Sequence, residues 1–208
     1  MHKALIVDDH PVIRLAVRML LEREQLEVVG EADNGIDALQ MVRNLAPDLV
    51  ILDIGIPRLN GLEVIARLKH LPITPRVLVL TGQSASLYSK RCLQAGASGF
   101  ITKSDDLSDL VAALHAVRKG YAYFPDLSFS TSSNDNLLLS EEQLFGRLSD
   151  REVQVLKMLA DGCKNKQIGE EIHLSPKTVS TYKTRIMAKL NVKSMVEMLD
   201  LAKRLTAS

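Results

Sequence analysis

The first 120 residues alternate between short apolar runs rich in β-branched residues and longer stretches in which apolar residues recur at helical spacing. The runs read ALIVD, LEVVGEA, LVILDI, RVLVLT and GFITK. Strands that are apolar along most of their length are buried on both faces, which is typical of parallel sheets. The alternation therefore predicts an α/β fold with five parallel strands covered by helices on both faces. The helical stretches run from Val12 to Glu24, Ile36 to Leu45, Leu62 to His70, Leu87 to Ala95 and Leu107 to Lys119.

The alternating pattern is lost after residue 120. From Tyr121 to Gly146 the chain mixes Pro, Ser, Asn and Asp without a sustained period, which is typical of a linker. The next segment, LSDREVQVLKMLADG, has Ser149 and Glu152 at the spacing of a helix capping box. With 208 residues and 46% hydrophobic residues, the chain can form two cores. We predict domains at residues 1–120 and 147–208, joined by a linker at 121–146.

The second domain shows helical spacing throughout and no run that predicts a strand. It is therefore predicted to be all-helical, with four helices. These lie near Asp150 to Ala160, Asn165 to Ile172, Pro176 to Leu190 and Met195 to Leu205.

Several classes of protein are disfavoured by the sequence. No apolar run approaches the roughly 18 residues of a membrane helix, and the N-terminus lacks a signal-peptide pattern, so we expect no membrane contact and a cytoplasmic location. Cys92 and Cys163 lack the paired spacing of a zinc site or redox motif. The chain has no Gly-rich phosphate loop, so we do not expect it to use ATP itself.

Acidic residues end two of the predicted strands. Asp8 and Asp9 end the first strand, and Asp53 ends the third. In a flavodoxin-like fold, with sheet order 2-1-3-4-5, these strands are neighbours and ligands bind at the carboxyl ends of the strands. Three converging carboxylates are tolerable around a hard divalent cation, and Mg²⁺ suits a site with few protein ligands. We interpret the adjacent His10 as a residue of the first helical turn.

Polar residues also end the fourth and fifth strands, Thr81 in LVLTG and Lys103 in GFITK. A hydroxyl, an ammonium, a cation and carboxylates at one edge would form a receptor for a phosphoryl group, which Asp53 could accept as an acyl phosphate. Each residue alone has a simpler interpretation, since a strand-end Asp often caps a turn and a lone Lys is often solvated. Their convergence at one sheet edge favours the phosphoryl site.

The motifs IVDDHP, LDIGIP, LVLTG and ITK, in this order and spacing, resemble the receiver domain of two-component response regulators. The resemblance implies that Asp53 is phosphorylated by a sensor histidine kinase. It also implies that Asp8, Asp9 and Asp53 bind Mg²⁺ together with the backbone carbonyl of Gly55. In that family no catalytic turnover is expected beyond self-phosphorylation from a phosphohistidine or acyl-phosphate donor, so we do not expect an enzyme.

The same resemblance assigns roles to the neighbouring strand ends. Thr81 and Lys103 would contact the phosphoryl group, and Phe100 would be the aromatic residue that follows Thr81 when the switch operates. Ser104 stands where many receivers have a proline. Two alternatives stay open: a receiver that serves as a phosphate-independent dimerisation module, and an aspartyl-phosphate phosphatase. The phosphatase would carry an Asp-x-Asp pair, which neither Asp-Asp-His nor Asp-Ile-Gly provides.

Basic residues are concentrated near the C-terminus. The whole chain has 26 Lys+Arg and 25 Asp+Glu, and residues 1–124 contain 14 of each kind, so neither total indicates a partner. Residues 164–193, however, contain seven basic and two acidic residues, a net charge of +5. Such a local excess indicates a polyanionic partner.

The segment SPKTVSTYKTRIMAKL predicts an amphipathic helix whose buried arc contains Val179, Tyr182, Ile186 and Leu190. The opposite face is polar without being bulky, so it could approach base edges in the major groove of double-stranded DNA. Basic residues on its flanks could reach phosphates, although a solvated surface helix would show a similar pattern. The candidate DNA-binding residues are Lys177, Thr178, Ser180, Thr181, Lys183, Thr184, Arg185 and Lys189.

The preceding segment, NKQIGEEI, predicts a helix of about two turns, followed by a break at His173 to Ser175 and a helix that Pro176 begins. This helix-turn-helix pattern resembles the LuxR-type DNA-binding domain, through LSDREVQVLKMLADG, NKQIGEEI, LSPKTVSTYKTRI and KLNV. Joined to a receiver, it makes the chain similar to NarL/FixJ-type response regulators. That similarity implies a homodimer when phosphorylated, with a dimer contact from the helix near Met195 to Leu205, and allows contact with RNA polymerase.

Overall fold

The computed structural model describes residues 3–103, 108–124 and 141–206. Three predictions lie outside these residues: the greater part of the linker, at 125–140, the start of the fifth helix at Leu107, and the loop position Ser104. The chain divides into two compact units, Met1–Ser128 and Phe129–Ser208. None of the described helices has the length and apolar character that crossing a membrane requires.

The first unit is built on a five-stranded parallel sheet of order β2-β1-β3-β4-β5, which confirms the predicted order. Its strands are β1 (Lys3–Val7), β2 (Glu27–Ala32), β3 (Leu49–Leu52), β4 (Arg76–Thr81) and β5 (Gly99–Thr102). Val7 of β1 lies opposite Leu52 of β3, and Leu52 lies opposite Val79 of β4. The residues that follow these positions therefore meet at one edge of the sheet.

Five helices connect and cover the strands. They are α1 (Pro11–Arg23), α2 (Gly35–Leu45), α3 (Gly61–Leu68), α4 (Ala85–Ala95) and α5 (Ser108–Lys119). Helices α2 and α3 each begin one residue earlier than predicted, because an asparagine caps each of them. The side chain of Asn34 accepts from the amides of Ile36 and Asp37, and that of Asn60 accepts from the amide of Glu63.

Each face of the sheet has its own apolar core, because successive strand residues point to opposite faces. In β1, Leu5 and Val7 pack with residues of α2, α3 and α4, whereas Ala4 and Ile6 pack with residues of α1 and α5. All four side chains are at most 1% exposed. This burial on both faces explains why the strand sequences are nearly continuous apolar runs.

After α5, the chain runs back beside β5. The carbonyl of Tyr123 accepts from the amide of Phe100 at 2.8 Å, and the amide of Tyr123 donates to the carbonyl of Ser98 at 3.1 Å. Phe124 packs against the core that contains Leu5. Ordered contacts of the first unit thus continue beyond residue 120, where the sequence pattern is lost.

The second unit is helical, and its last four helices lie within one residue of their predicted limits. Its helices are α6 (Glu141–Gly146), α7 (Asp150–Ala160), α8 (Asn165–Glu171), α9 (Pro176–Leu190) and α10 (Met195–Thr206). Helix α6 was not predicted from the sequence, because six residues are too few to show a helical period. Phe145 of α6 is nonetheless buried, at 3% exposure.

Capping and a glycine define the ends of helices in the second unit. Ser149 and Glu152 form the predicted capping box at the start of α7. Between α8 and α9, His173 has a positive φ of 55°, and the amide of Leu174 donates to the carbonyl of Gly169 at 2.8 Å. A Cβ on Gly169 would collide with the Leu174 carbonyl oxygen. Glycine therefore permits the close turn that positions α9 against α8.

Candidate functional site

The strand-end carboxylates meet at one edge of the parallel sheet. Asp8 and Asp9 follow β1, and Asp53 follows β3, which pairs directly with β1. One ligand atom from each of these carboxylates and one from His10 lie within 4.8 Å of one another. Asp8 and Asp53 are buried, whereas Asp9 and His10 are exposed. The structure thus brings together the three carboxylates that the sequence analysis singled out and adds an imidazole to them.

Both carboxylate oxygens of Asp53 have donors. Oδ1 accepts from the backbone N–H of Gly55 at 2.8 Å and from Oγ1 of Thr81 at 2.7 Å. Oδ2 accepts from Nζ of Lys103 at 2.6 Å. Thr81 is the last residue of β4 and Lys103 follows β5, so the sheet itself positions both side chains. Asp53 is therefore held in one orientation by donors on three sides.

Lys103 bridges two carboxylates of this cluster. Its Nζ lies 2.6 Å from Oδ2 of Asp8 and 2.6 Å from Oδ2 of Asp53, and the Lys103 side chain is 14% exposed. Burial alone would lower the pKa of Lys103. The hydrogen bonds and charges of Asp53 and Asp8 outweigh burial, so the pKa of Lys103 is raised above its ordinary value. Lys103 therefore remains a cation in the cluster.

His10 has partners that the sequence analysis did not anticipate. It occupies the N-cap of α1 rather than the first turn, and its side chain makes no capping hydrogen bond. Its Nδ1 instead lies 2.8 Å from Oδ1 of Asp9 and 3.1 Å from Oδ1 of Asp8. The interpretation of His10 as an ordinary first-turn residue is thus corrected, since the ring faces the carboxylates.

Phe100 and Gly55, the remaining residues predicted at this site, have different surroundings. Phe100 is 1% exposed and lies in β5 opposite Val79 of β4, two residues before Thr81. Its ring belongs to the core between the sheet and α4. Gly55 is an exposed residue of the loop after β3, and its amide donates to Asp53. The roles of the Phe100 ring in switching and of the Gly55 carbonyl as a ligand remain predictions.

The donor set of the cluster suits a hard divalent cation. Asp8, Asp9 and Asp53 supply carboxylate oxygens, which are the ligands that Mg²⁺ prefers. Mg²⁺ also keeps several of its waters, and the exposure of Asp9 leaves this side of the cluster open to solvent. The chemistry of the residues therefore fits the predicted cation.

A second candidate site is the exposed face of α9. Val179, Ile186 and Leu190 are buried as predicted, and Tyr182 is half-buried. Thr178 and Lys183 are half-buried as well. The fully exposed candidates are Lys177, Ser180, Thr181, Thr184 and Arg185. The helix therefore presents small polar side chains flanked by basic ones, as the pattern predicted.

The hydroxyl groups on this face donate to the helix backbone. Ser180, Thr181 and Thr184 each donate to the carbonyl four residues earlier, at 3.2, 3.2 and 3.3 Å. Such back-bonding keeps the side chains close to the helix surface. These side chains therefore protrude little from α9, and a second macromolecule can approach the helix backbone closely.

Asn165, the first residue of α8, contacts two of the candidate residues. Its Nδ2 donates to Oγ of Ser180 at 2.9 Å, and its Oδ1 lies 3.4 Å from Nζ of Lys183. Sequence reasoning did not single out Asn165, because nothing in the local pattern shows which residue of one helix faces the other. The contact restricts Ser180 and Lys183 from the side of α8.

Lys189 differs from the other basic candidates. Its Nζ lies 2.6 Å from Oε2 of Glu152, a capping-box residue of α7 whose side chain is 4% exposed. Burial would raise the pKa of Glu152, but hydrogen bonds from Lys189 and Ser149 and the charge of Lys189 lower it below its ordinary value. A phosphate contact by Lys189 would require this ion pair to open. The structure thus assigns Lys189 first to the packing of α9 on α7.

The apolar side chains of α10 belong mainly to the core of the second unit. Met198 and Ala202 are at most 1% exposed, and Leu201 is 5% exposed. Met195 and Leu199 are half-buried, whereas Val196 is 67% exposed. The dimer contact expected from this helix remains a prediction, for which Met195, Val196 and Leu199 are accessible side chains.

Two protein families match successive parts of the chain. Residues 4–115 match the family described as response regulator receiver domain. Residues 147–202 match the family described as bacterial regulatory proteins, luxR family. The carboxylate cluster lies in the first match, which covers more than half of the chain, and α9 lies in the second.

Curated relatives match along nearly the whole chain. The positive transcription regulator of virulence factors BvgA from Bordetella pertussis is 54% identical over 203 residues, covering 98% of this chain and 97% of the relative. The DNA-binding transcriptional activator EvgA from Escherichia coli K12 is 37% identical over 201 residues, covering 97% of both chains. Both domains and their order are therefore shared with these transcription regulators.

Solved structures of the response regulator RcsB from Salmonella have the same fold. RcsB bound to the promoter rprA in the presence of the phosphomimetic BeF3⁻ has a TM-score of 0.69 and 26% identity, covering 98% of this chain and 99% of that one. Another RcsB structure, described as showing conformational dynamism for DNA interaction, has a TM-score of 0.76 and 27% identity, covering 99% and 100%.

Proposed function

The chain belongs to the response regulators that join a receiver domain to a LuxR-type DNA-binding domain, and on that premise we propose that Asp53 is its phosphorylated residue. The protein is a DNA-binding transcription regulator of a two-component system, in which a sensor histidine kinase is the phosphoryl donor. We propose residues 1–120 as the receiver, 121–146 as the linker and 147–208 as the DNA-binding domain.

The observation that carries the assignment of Asp53 is its set of donors. Thr81 and Lys103 each donate to one Asp53 oxygen, at 2.7 and 2.6 Å. In the transfer, one Asp53 oxygen forms the new O–P bond while the P–N bond of the phosphohistidine breaks, and the electron pair stays on the histidine nitrogen. Thr81 and Lys103 can then turn their hydrogen bonds to the phosphoryl oxygens, because both already reach the acceptor.

We propose that Mg²⁺ binds among Asp8, Asp9 and Asp53, with the Gly55 carbonyl as a further ligand. The fit of three carboxylates to a hard cation supports this proposal. When bound, Mg²⁺ offsets negative charge on the phosphoryl group during the transfer. The residues of the chain orient the acceptor, and Lys103 adds a positive charge at Oδ2 of Asp53.

The proposed switch connects Asp53 to the edge of the sheet. Thr81 is fully buried and Phe100 lies on the neighbouring strand, so a movement of the Thr81 hydroxyl toward a phosphoryl group would leave space that an aromatic ring could enter. The receiver surface over β4 and β5 would change with it. The positions of Thr81 and Phe100 therefore support a phosphate-dependent switch rather than a receiver that only dimerises.

For the DNA-binding domain, we propose that α9 enters the major groove. Ser180, Thr181 and Thr184 would face base edges, and Lys183 and Arg185 would contact phosphates on either side, with Lys177 and Thr178 near the start of the helix. Lys189 is a weaker candidate, because it pairs with Glu152.

Two further partners are expected of a response regulator that binds DNA. We propose a homodimer when Asp53 is phosphorylated, because two helix-turn-helix units read two half-sites. RNA polymerase is a further candidate partner, since a bound regulator acts on transcription.

We also propose that the protein is not an enzyme, since its carboxylates lack the Asp-x-Asp spacing of phosphatases. We propose that it acts in the cytoplasm, where it meets bacterial DNA.

The assignment of Asp53 is tested with a small acyl-phosphate donor and Mg²⁺. The wild-type protein should gain the mass of one phosphoryl group, which alkaline pH removes, and Asp53→Asn should gain none. Asp109→Asn is a matched control, because Asp109 is an exposed carboxylate of α5 outside the cluster. Equal labelling of Asp53→Asn and the wild-type protein would show that another residue is the acceptor.

The placement of α9 is tested by titrating variants with a randomised library of DNA sites at two salt concentrations. Lys183→Ala and Arg185→Ala should weaken binding to all sequences alike and reduce the salt dependence by roughly one phosphate contact. Thr181→Ala and Thr184→Ala should change base preference by about 1 to 3 kcal/mol at the affected position. Lys69→Ala, in the first unit, is the control. If Lys183→Ala and Arg185→Ala changed base preference while Thr181→Ala and Thr184→Ala weakened binding to all sequences alike, this orientation of α9 would be rejected.

A further inference from the structure

His10 occupies a helix N-cap without capping the helix. The N-cap usually carries a short polar side chain that accepts from the first turn, but the His10 ring makes no such bond, and Pro11 begins α1. The ring is turned toward Asp8 and Asp9 although its side chain is 65% exposed and has room elsewhere. The position of the ring therefore follows the carboxylates rather than the requirements of the helix.

From this position we infer that His10 supplies a nitrogen ligand to the divalent cation of the carboxylate cluster. The consequence is a site that takes first-row transition cations of octahedral preference, such as Mn²⁺, more readily than a site of carboxylates alone. This inference rests on the proposed function, because it assumes that the cation binds at Asp8, Asp9 and Asp53.

The distances in the cluster agree with one coordination sphere. His10 Nδ1 lies 2.8 Å from Oδ1 of Asp9 and 3.1 Å from Oδ1 of Asp8. Adjacent ligands of an octahedral ion with bonds of about 2.1 Å are about 3 Å apart, and opposite ligands are about 4 Å apart. The ligand atoms of the cluster lie within 4.8 Å of one another. Side-chain movements of less than about an ångström would therefore bring all four groups around one ion.

The chemistry of the donor set determines which cation gains most. Carboxylates suit Mg²⁺ and Mn²⁺ alike, whereas an imidazole nitrogen adds more affinity for transition cations than for Mg²⁺. To bind the cation, the proton through which Nδ1 donates to the carboxylates must leave Nδ1, so that the ring carries its proton on Nε2 by exchange with solvent and Nδ1 presents its lone pair. The hydrogen bonds from the ring to Asp8 and Asp9 are then replaced by bonds from the cation to the same three groups.

A competing explanation is that His10 only donates hydrogen bonds to the two carboxylates. Both explanations account for the distances without a cation, but they differ once a cation is bound. A directly coordinated imidazole couples its ¹⁴N nucleus to the electron spin of Mn²⁺, and a ring that only donates hydrogen bonds does not coordinate. Pulsed electron paramagnetic resonance of the Mn²⁺-loaded full-length protein therefore distinguishes them.

We expect ¹⁴N modulation in the wild-type protein and in His70→Ala, an exposed histidine beyond α3 that serves as control, and its loss in His10→Ala. The His10→Ala variant should also bind Mn²⁺ on the order of tenfold more weakly, with a smaller change for Mg²⁺ in a competition titration. The exposed His10 side chain can be truncated without opening the core, so the variant remains folded.

Two results would contradict the inference in different ways. If Mn²⁺ binds and Asp8→Asn abolishes binding, but the wild-type protein shows no ¹⁴N modulation or His10→Ala retains it, His10 is not a ligand and the proposed cation site stands. If Asp8→Asn binds Mn²⁺ as tightly as the wild-type protein, the cation site itself is wrong, and the inference fails with it.

Discussion

Thr81 connects the carboxylate of Asp53 to β4 through one short hydrogen bond. Its Oγ1 lies 2.7 Å from Oδ1 of Asp53, and its side chain is completely buried. A buried hydroxyl cannot replace a lost partner with bulk water, so it must follow whichever acceptor is present. Phosphorylation of Asp53 would offer new acceptor oxygens, and Thr81 is the side chain best placed to respond to them.

Replacing Thr81 by alanine should separate phosphorylation from its effect. Thr81→Ala should still accept a phosphoryl group, because Lys103 and the Gly55 amide still hold Asp53. Phosphorylation should then tighten DNA binding less than in the wild-type protein, since coupling between sites is commonly about 1 to 3 kcal/mol. DNA titrations before and after labelling measure this difference. Thr81→Ser keeps the hydroxyl and is the control.

The opposite behaviour would give Thr81 a different role. A Thr81→Ala protein that is labelled slowly, but binds DNA as tightly as the wild-type protein once labelled, would show that Thr81 serves the transfer only.

Residues at the ends of parallel strands could be predicted from the sequence, because the carboxyl ends of such strands meet at one sheet edge. This geometry is why Asp53, Thr81 and Lys103 were recognised together. Side-chain direction could not be predicted. Nothing in the sequence shows that His10 turns toward its neighbours, or that Lys189 faces a buried carboxylate on another helix.

At the scale of elements, α7 and α9 are joined by an ion pair at a helix start. Glu152 caps α7 together with Ser149, and the same carboxylate oxygen accepts from Lys189 of α9. Because the Glu152 side chain is only 4% exposed, its charge depends on these donors. One residue thus stabilises both the beginning of α7 and the packing of α9 against it.

Glu152→Gln should lower the free energy of unfolding of the DNA-binding domain by about 1 to 3 kcal/mol at neutral pH. The pKa of Glu152 is lowered in the folded protein, so its stabilising effect is present above the ordinary pKa of a glutamate and is lost as the pH falls through the lowered value. The wild-type protein and the variant should therefore converge in acid. Thermal unfolding from neutral to acidic pH measures this.

Glu170→Gln is the matched control for that experiment, because Glu170 is an exposed glutamate of α8. Its stability should match that of the wild-type protein throughout. A constant difference between Glu152→Gln and the wild-type protein at every pH would mean that the ion pair is not the source of the stability.

Element types were predicted well where a period is long enough to be read. The five strands, the five receiver helices and the helix-turn-helix all follow from patterns of this kind. The failures have local causes. Helix α6 is too short to show a period, and the one-residue extensions at Gly35 and Gly61 depend on caps by Asn34 and Asn60, which lie two residues before the apolar pattern begins.

At the scale of the whole molecule, one chain contains a phosphoryl acceptor and a DNA reader in separate units. A single helix-turn-helix reads one half-site, so pairing two chains doubles the DNA contacts without any change in α9. Under the proposed homodimerisation, phosphorylation would therefore regulate DNA binding by changing the association of chains. The two-unit organisation was predictable because the pattern changes near residue 120, whereas the partner surface leaves no periodic signal in the sequence.

Phosphorylation of the wild-type protein should shift it from monomer to dimer. Sedimentation velocity of the protein with and without an acyl-phosphate donor and Mg²⁺ measures the shift, and Asp53→Asn should remain at the unphosphorylated value under both conditions. Val196→Glu, at an exposed apolar position of α10, tests whether that helix contributes to the contact. A fully labelled wild-type protein that stays monomeric would exclude phosphorylation-driven dimerisation.

The ion pairs of Lys103 with Asp8 and Asp53 have a consequence for the inputs to this regulator. Three carboxylates and one ammonium leave two negative charges at the sheet edge, which a divalent cation neutralises and a monovalent cation does not. A phosphoryl group on Asp53 adds negative charge, so the phosphorylated protein should hold the cation more tightly. Thermodynamic linkage is reciprocal, and the cation must stabilise the phosphorylated state by the same free energy. If the proposed cation binds there, its free concentration would be a second input, alongside the kinase.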